Sequence, residues 1–461
     1  MANNIAKTSA LTTEHLAAAL AATPGVSDWQ VTVLEDEEAQ QYVIGERVEA
    51  QREVHNERAR VTVYNRHPAH SEMETGDALG MAGVTLLESD AADERALSQK
   101  LAEAVELASL TDNQPYALPG PPADGFPNVQ TADPDLARDM TPAVQRTMDQ
   151  LRSLLQQEQQ VELSSAELLV TRSSRAMRSG QGIAAIERGT VATLDFVVLA
   201  RDASGTAEFH AQLERRRLRD FALGETVPVY ASYARHLLRA RPPQTHRGPV
   251  ILSGEALASL FSPPLGPSPL AYHTSAEAAY RGASRLKPGD WATGEPPRGD
   301  RITLSSDAIR PWGLSTAAFD GDGLPARLVR VIDAGRVRQR WATARYAAYL
   351  GIPATGAFAN IRVEPGTASL DELRVTGGGP IYEIVAFSFM QPDAVSGEFV
   401  AEIRLGYRHD ARGTVPVKGG ALAGNVFSAL RDVRLSRETY SDGRYLGPRA
   451  MRFAELTIAG E

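Results

Sequence analysis

The chain has 461 residues, 43% hydrophobic and 23% charged, which suits two or three soluble domains each able to bury a core. A formal charge of −9 argues against non-specific nucleic-acid binding, which needs basic surface. The absence of cysteine excludes disulfides, thiolate catalysis and cysteine-ligated zinc, and no apolar run approaches the ~18 residues of a membrane span.

Leu16 to Ala22 form an Ala/Leu-rich stretch that Thr12 or Thr13 can cap as a surface helix ending at Pro24-Gly25. Glu14 and His15 abut it, so it does not read as an export signal, and a cytoplasmic location is the expectation. Strand patterns follow at 28–35 (DWQVTVLE), 42–53, 59–64 (ARVTVY) and 80–87 (GMAGVTLL). Leu97, Leu101, Val105 and Ala108 then predict a helix over 94–110. A Pro/Gly-rich loop at 112–129 precedes a second helix, opened by Thr141-Pro142 and carrying Val144, Met148, Leu151 and Leu155 on one face. Strands return at VELSSAELLVTRSS, GIAAIERGTVATLDFVVLAR and GTAEFHAQLERR. The fold class is therefore α+β: an N-terminal mixed sheet covered by a helical pair, then a β-rich domain of largely antiparallel strands.

Arg215, Arg216, Arg217 and Arg219 form a basic cluster flanked by Glu214 and Asp220, which suits a solvated face or a domain seam. Residues 221–248 read as a connector, with the boundary near Gly224, giving domains over 1–224 and 225–461. The second domain opens with GPVILSGEALASLFSPPLG: a strand, Ser253 as cap, a short helix, and a stop at Pro263-Pro264. Residues 263–300 are rich in Pro, Gly and Ser and predict a long mobile loop. A hairpin turning at Ala334-Gly335 and a helix over 342–350 closed by Gly351 come next. The end of the chain holds the cleanest alternation, SGEFVAEIRLGY, with Phe399, Ala401, Ile403, Leu405 and Tyr407 on one side. Val426, Leu430 and Val433 then suggest the inner stripe of a short helix, before the strand RAMRFAELTIAG.

Few groups suggest chemistry. His67 and His70, with Glu72 and Glu74 nearby, come nearest to a metal cluster, but Pro68 prevents a helix that would stack them and no third histidine is close. His210 lies mid-strand and His273 in the 263–300 loop, neither beside an Asp at nucleophile-base spacing. No GxSxG elbow occurs. Gly377-Gly378-Gly379 precedes a strand, the wrong order for a phosphate cradle, and Asp320-Gly321-Asp322-Gly323 lacks the later ligands of a calcium loop.

PVKGGALAGNVFSALRDVRLS followed by FAELTIAG resembles the C-terminal signature of the TldD/TldE (PmbA) family of metallopeptidase subunits. The positions Phe319, Asp320, Gly323, Gly335, Ala347, Gly351, Thr355 and Gly356 match its central block, and Gly397, Gly424 and Asn425 its last block. The resemblance places the family's zinc motif HExxxH on the helix after Ser253. Here the matching residues are Gly254-Glu255-Ala256-Leu257-Ala258-Ser259: the glutamate is kept and both ligand positions are lost. Zinc needs three firm protein ligands, so no catalytic, cofactor or metal residue is expected in this chain. Glu255 is read as a carboxylate favourably placed in a first helical turn.

What the resemblance implies is a TldE-like, non-catalytic subunit completing the chamber in which a TldD-like zinc partner cleaves extended peptides. Zinc would then reside in the partner, the assembly would be a dimer, and neither nucleic acid nor membrane would be involved. Edge strands of the C-terminal sheet could hold an extended peptide through main-chain hydrogen bonds. The alternatives are a homodimer that binds peptides without cutting them, and a peptidase with a metal site relocated to His67, His70 or His273.

Overall fold

The computed structural model describes residues 9–70, 76–137, 139–203 and 205–461. The helix α1 (Thr13–Ala22) is capped by Thr12, whose side chain accepts from the His15 N–H. The three short strands expected between 28 and 64 are two long ones, β1 (Asp28–Ile44) and β2 (Arg47–Pro68), joined in a hairpin. The sequence hides their length because their middles are polar. On one side of β1, Val31, Val33, Ala39 and Val43 are buried, while Glu35 and Glu37 interrupt the apolar row. Backbone pairing continues through that interruption regardless of side chain.

With β3 (Asp77–Leu87), β4 (Val161–Ser179), β5 (Ala184–Asp202) and β6 (Gly205–Arg215), these strands form a sheet in the order β3-β2-β1-β4-β5-β6. The sheet expected as mixed is antiparallel at every pairing. After the short α2 (Glu88–Ala92), α3 (Glu94–Ser109) joins α1 over Val31, Val33, Val61 and Val63. The helix α4 (Thr141–Gln157) covers Leu168, Val170, Leu194 and Phe196. Beside it lies α5 (Leu223–Arg239), in the segment read as a connector. Gly224 and Pro228 disguise this helix in the sequence. Proline at its sixth position forfeits one early hydrogen bond, and the buried row Val227, Tyr230, Ala234 and Leu237 outweighs that loss.

The C-terminal half carries two sheets around one core. One comprises β7 (His246–Ser253), β12 (Ile381–Met390), β13 (Glu398–Asp410), β14 (Gly413–Val417), β15 (Ala421–Asn425), β16 (Val433–Leu435) and β19 (Ala450–Ala459). Its pairings run β12-β7-β19-β15-β13, and β13 returns to β12, so the sheet closes on itself and removes most of its free edges. The alternation in β13 buries Phe399, Ala401, Ile403 and Leu405 as expected, and Val433 belongs to β16 because the helix α11 spans only Val426–Ala429. The other sheet is β8 (Leu304–Asp307), β9 (Leu328–Asp333), β10 (Arg336–Val337), β11 (Asn360–Val363), β17 (Thr439–Ser441) and β18 (Tyr445–Pro448), ordered β10-β9-β8-β11-β18-β17.

Four short helices decorate these sheets: α7 (Pro269–His273), α8 (Ala276–Tyr280), α9 (Ala344–Leu350) and α10 (Leu370–Arg374). The first two lie in the 263–300 segment, where Leu270, Ala271, Ala276 and Ala278 are buried, so much of that stretch is packed in place. No helix among the described residues is long and apolar enough to cross a membrane.

The basic cluster after β6 sits at the seam between the halves. Arg216 is buried and donates to the carbonyls of Thr190, Gly313, Leu314 and Thr316. Arg217 lies 4.1 Å over the Trp312 ring, and Arg215 donates to the Asp442 carbonyl.

Candidate functional site

The helix α6 (Glu255–Phe261) follows β7 directly, and its first residue faces a cleft between the two halves of the chain. Ser253 does not cap it. Its hydroxyl donates to Glu383 instead, and Gly254 is the N-cap at φ 55°, ψ −121°. An L side chain rarely adopts that backbone, so the turn itself demands glycine where the zinc motif would place its first histidine. At the second ligand position, the Ser259 hydroxyl donates to the Ala256 carbonyl one turn back, at 2.9 Å. The residues present therefore do not fit a zinc ion on this helix.

Glu255 lies on the wall shared by two cavities, of about 1330 Å³ and 700 Å³. Gln212 and Glu214 of β6, Tyr272, Tyr346 and Arg444 border the larger one. No histidine is among its lining residues. The smaller is bordered by Tyr230, Tyr233, Tyr407, His409 and Arg449. Water reaches the Glu255 carboxylate from the cleft, yet protein surrounds it closely. That confinement pushes its pKa up to about 7, the Asp442 carboxylate adds to the rise, and Arg404 and His210 oppose it. Glu255 is thus a carboxyl group that can hold or release a proton near neutrality.

The floor of the smaller cavity is a buried ionic node. Glu383 accepts from Ser253 Oγ at 2.7 Å, Arg374 Nε at 2.7 Å and His409 Nε2 at 3.0 Å. Burial alone would raise this carboxyl, but the His409, Arg374 and Ser253 hydrogen bonds outweigh it and bring Glu383 down to about 2. This node is invisible to sequence spacing, because its members come from β7, α10, β12 and β13.

The other motif positions are geometric. Asp320 accepts from the backbone N–H groups of Asp322, Leu324 and Ala357, which fill the lone pairs a calcium ion would need. Gly323 and Gly356 flank that turn, Gly335 sits at a hairpin tip and Gly351 at the end of α9, all at positive φ. Asn425 caps α11 by accepting from Phe427 and Ser428, and it donates to the Ser396 carbonyl beside Gly397.

The scattered histidines fall into separate environments. His273 is buried on α7, with Nε2 2.8 Å from the Val395 carbonyl and its ring against Phe427, and burial lowers its pKa. It is not brought to His67 and His70, which lie at the end of β2 beside Asp112. Glu72 and Glu74 lie outside the described residues. His210 pairs with Asp195 across β5 and β6 at 2.8 Å, a contact that sequence spacing could not show.

These features can be compared with known proteins. Residues 245–460 match the PmbA/TldA metallopeptidase C-terminal domain. A protein from Thermococcus kodakarensis, whose crystal structure is titled TldE, superposes with a TM-score of 0.75 at 16% identity, over 94% of this chain and 97% of that one. A zinc metalloprotease TldD homolog from Saccharolobus solfataricus is 24% identical over 275 residues, 54% of this chain and 58% of the relative. An uncharacterised protein from Methanocaldococcus jannaschii is 22% identical over 224 residues, 46% of this chain and 51% of the relative. The chain thus spans between half and three-fifths of the length of the two curated relatives it matches.

The architecture is an α+β frame with a closed C-terminal sheet and a short helix at the cleft between the two halves. Residues 245–460 thus carry the C-terminal domain of the PmbA/TldD type, and the whole chain shares the fold of the TldE structure.

Proposed function

We propose that this chain is a TldE-like subunit of a heteromeric zinc metallopeptidase, without hydrolytic activity of its own. In this reading it completes a chamber in which a TldD-like partner, carrying the zinc, cleaves extended peptides. The observation that carries the reading is the helix at Glu255. It faces a cleft large enough for a peptide, keeps the glutamate, and holds neither zinc ligand, one of them replaced by a glycine its own backbone requires. A general base without a metal-bound water has no nucleophile to activate. The Glu255 carboxyl then serves as a wall group, offering a hydrogen bond or a charge to a peptide.

The test is reconstitution. The chain and a TldD-like partner are purified separately and together, and an unstructured peptide is assayed with and without chelator. Chelator-sensitive cleavage by the mixture and none by this chain supports the reading. Cleavage by this chain alone overturns it, as does a chain that binds the peptide as a homodimer and never associates with the partner.

A further inference from the structure

We propose that His67, His70 and Asp112 form a binding site for a divalent first-row transition-metal ion in the N-terminal domain, remote in function from the cleft. It goes beyond the subunit reading and does not depend on it. His67 lies in β2, fixed by its pairing with Ala78 of β3, and His70 follows three residues later. Asp112 comes from the loop after α3. That loop is stitched to β3, where Asn113 accepts from the Leu79 N–H at 2.9 Å and donates its side-chain amide to the Leu79 carbonyl at 3.0 Å.

The three donors converge. His70 Nδ1 is 3.0 Å and His67 Nδ1 3.9 Å from Asp112 Oδ1, and one donor atom from each residue lies within 4.8 Å of the others. Ligand atoms about 2 Å from a tetrahedral ion sit roughly 3.3 Å apart, so a small inward movement closes the site. Asp112 is held in place because its Oδ2 accepts the His70 backbone N–H at 2.9 Å. An ion pair between His70 and Asp112 would explain those two residues but not the approach of His67, whose ring lies 4.9 Å from that of His70. His67 Nδ1 also lies 2.9 Å from the Pro68 carbonyl, a contact that metal binding would replace as the ring proton moves to Nε2.

Two imidazoles and one carboxylate select zinc, cobalt or nickel over magnesium or calcium, which prefer all-oxygen sites. His70 is largely exposed, which gives an ion entry and leaves room for water as a fourth ligand.

The experiment uses the full chain, stripped with chelator, and titrates Zn²⁺ by calorimetry and Co²⁺ by visible absorption. One ion per chain is expected, with the intense cobalt bands of four-coordination. His70→Ala and Asp112→Asn should each weaken Zn²⁺ affinity at least tenfold, and because His70 is exposed the first variant keeps its fold. Wild-type chain that binds no Zn²⁺, or a His70→Ala/Asp112→Asn variant that binds it as tightly, overturns the assignment. Peptide cleavage by a reconstituted complex should be the same with the His70→Ala chain, so failure here and failure of the subunit reading are read separately.

Discussion

Ser253 Oγ lies 2.7 Å from Glu383 Oε1, a contact between residues 130 apart in the chain. It ties the turn before α6 to β12, and with Arg374 and His409 it surrounds a carboxylate that is almost fully buried. The node fixes the backbone from which Glu255 projects into the cleft.

Glu383→Gln should destabilise the chain by roughly 1–3 kcal/mol, because an amide cannot accept from the Ser253, Arg374 and His409 donors together, while Arg374 stays partly hydrated. The wild-type node should also confer acid sensitivity. A carboxyl held near 2 in the folded state contributes stability that is complete above its unfolded pKa of about 4.3 and is lost as pH falls toward 2. Urea midpoints of both proteins at pH 7, 4 and 3 check this. The gap between them should narrow as pH falls.

Arg216 predicts a contrast within one cluster. Arg216→Met removes the donors to four carbonyls at the seam and should cost about 3 kcal/mol. Arg216→Lys should recover little, since a point ammonium cannot span carbonyls from two segments. Arg219 is exposed, and Arg219→Ala should stay within about 0.5 kcal/mol of wild type. Equal losses at Arg216 and Arg219 would remove the seam from the account.

Much of this fold was legible in the sequence, and the parts that were not share a cause. The amphipathic rows of α3 and α4, the alternation in β13 and the hairpin at Gly335 are local, so they show as period and turn chemistry. The long β1 and β2 were split because Glu35 and Glu37 break the apolar row while the hydrogen-bond ladder does not stop. The helix α5 was missed because Gly224 and Pro228 weigh against helix locally and only tertiary burial overrides them. At the cleft, Gly254 and Ser259 could be read from the sequence as side chains that are not zinc donors. The Glu383 node, the His210–Asp195 pair and the approach of Asp112 to His67 and His70 are meetings across strands, and no spacing announces them.

Glu255 should make the chain less stable as pH rises from about 4.3 to neutrality. Its folded pKa lies above the unfolded value, so below about 4.3 both states are protonated and the group costs nothing. Between there and about 7 the unfolded chain ionises first, and stability falls. Glu255→Gln removes that cost. Its thermal midpoint should match wild type at pH 4 and exceed it at pH 8, by a fraction of what full burial would give because water reaches the carboxylate. A variant no more stable than wild type at pH 8 would mean that the cleft solvates Glu255 as freely as bulk water does.

Gly424, in the segment that carries the family resemblance, is a test of close packing. A Cβ there would lie 2.7 Å from Leu456 Cδ2 and 2.8 Å from Phe399 Cζ, both side chains buried in the C-terminal core. Neither can retreat far, since Phe399 stands on β13 and Leu456 on β19, the two strands that β15 joins. Gly424→Ala should therefore cost about 1–3 kcal/mol through overpacking, read as a lower urea midpoint with an unchanged slope. Gly321→Ala is the control, because a Cβ at that position meets nothing within 4 Å. If the two substitutions cost the same, Gly424 is not held to glycine by contact between these strands, and its place in the motif needs another cause.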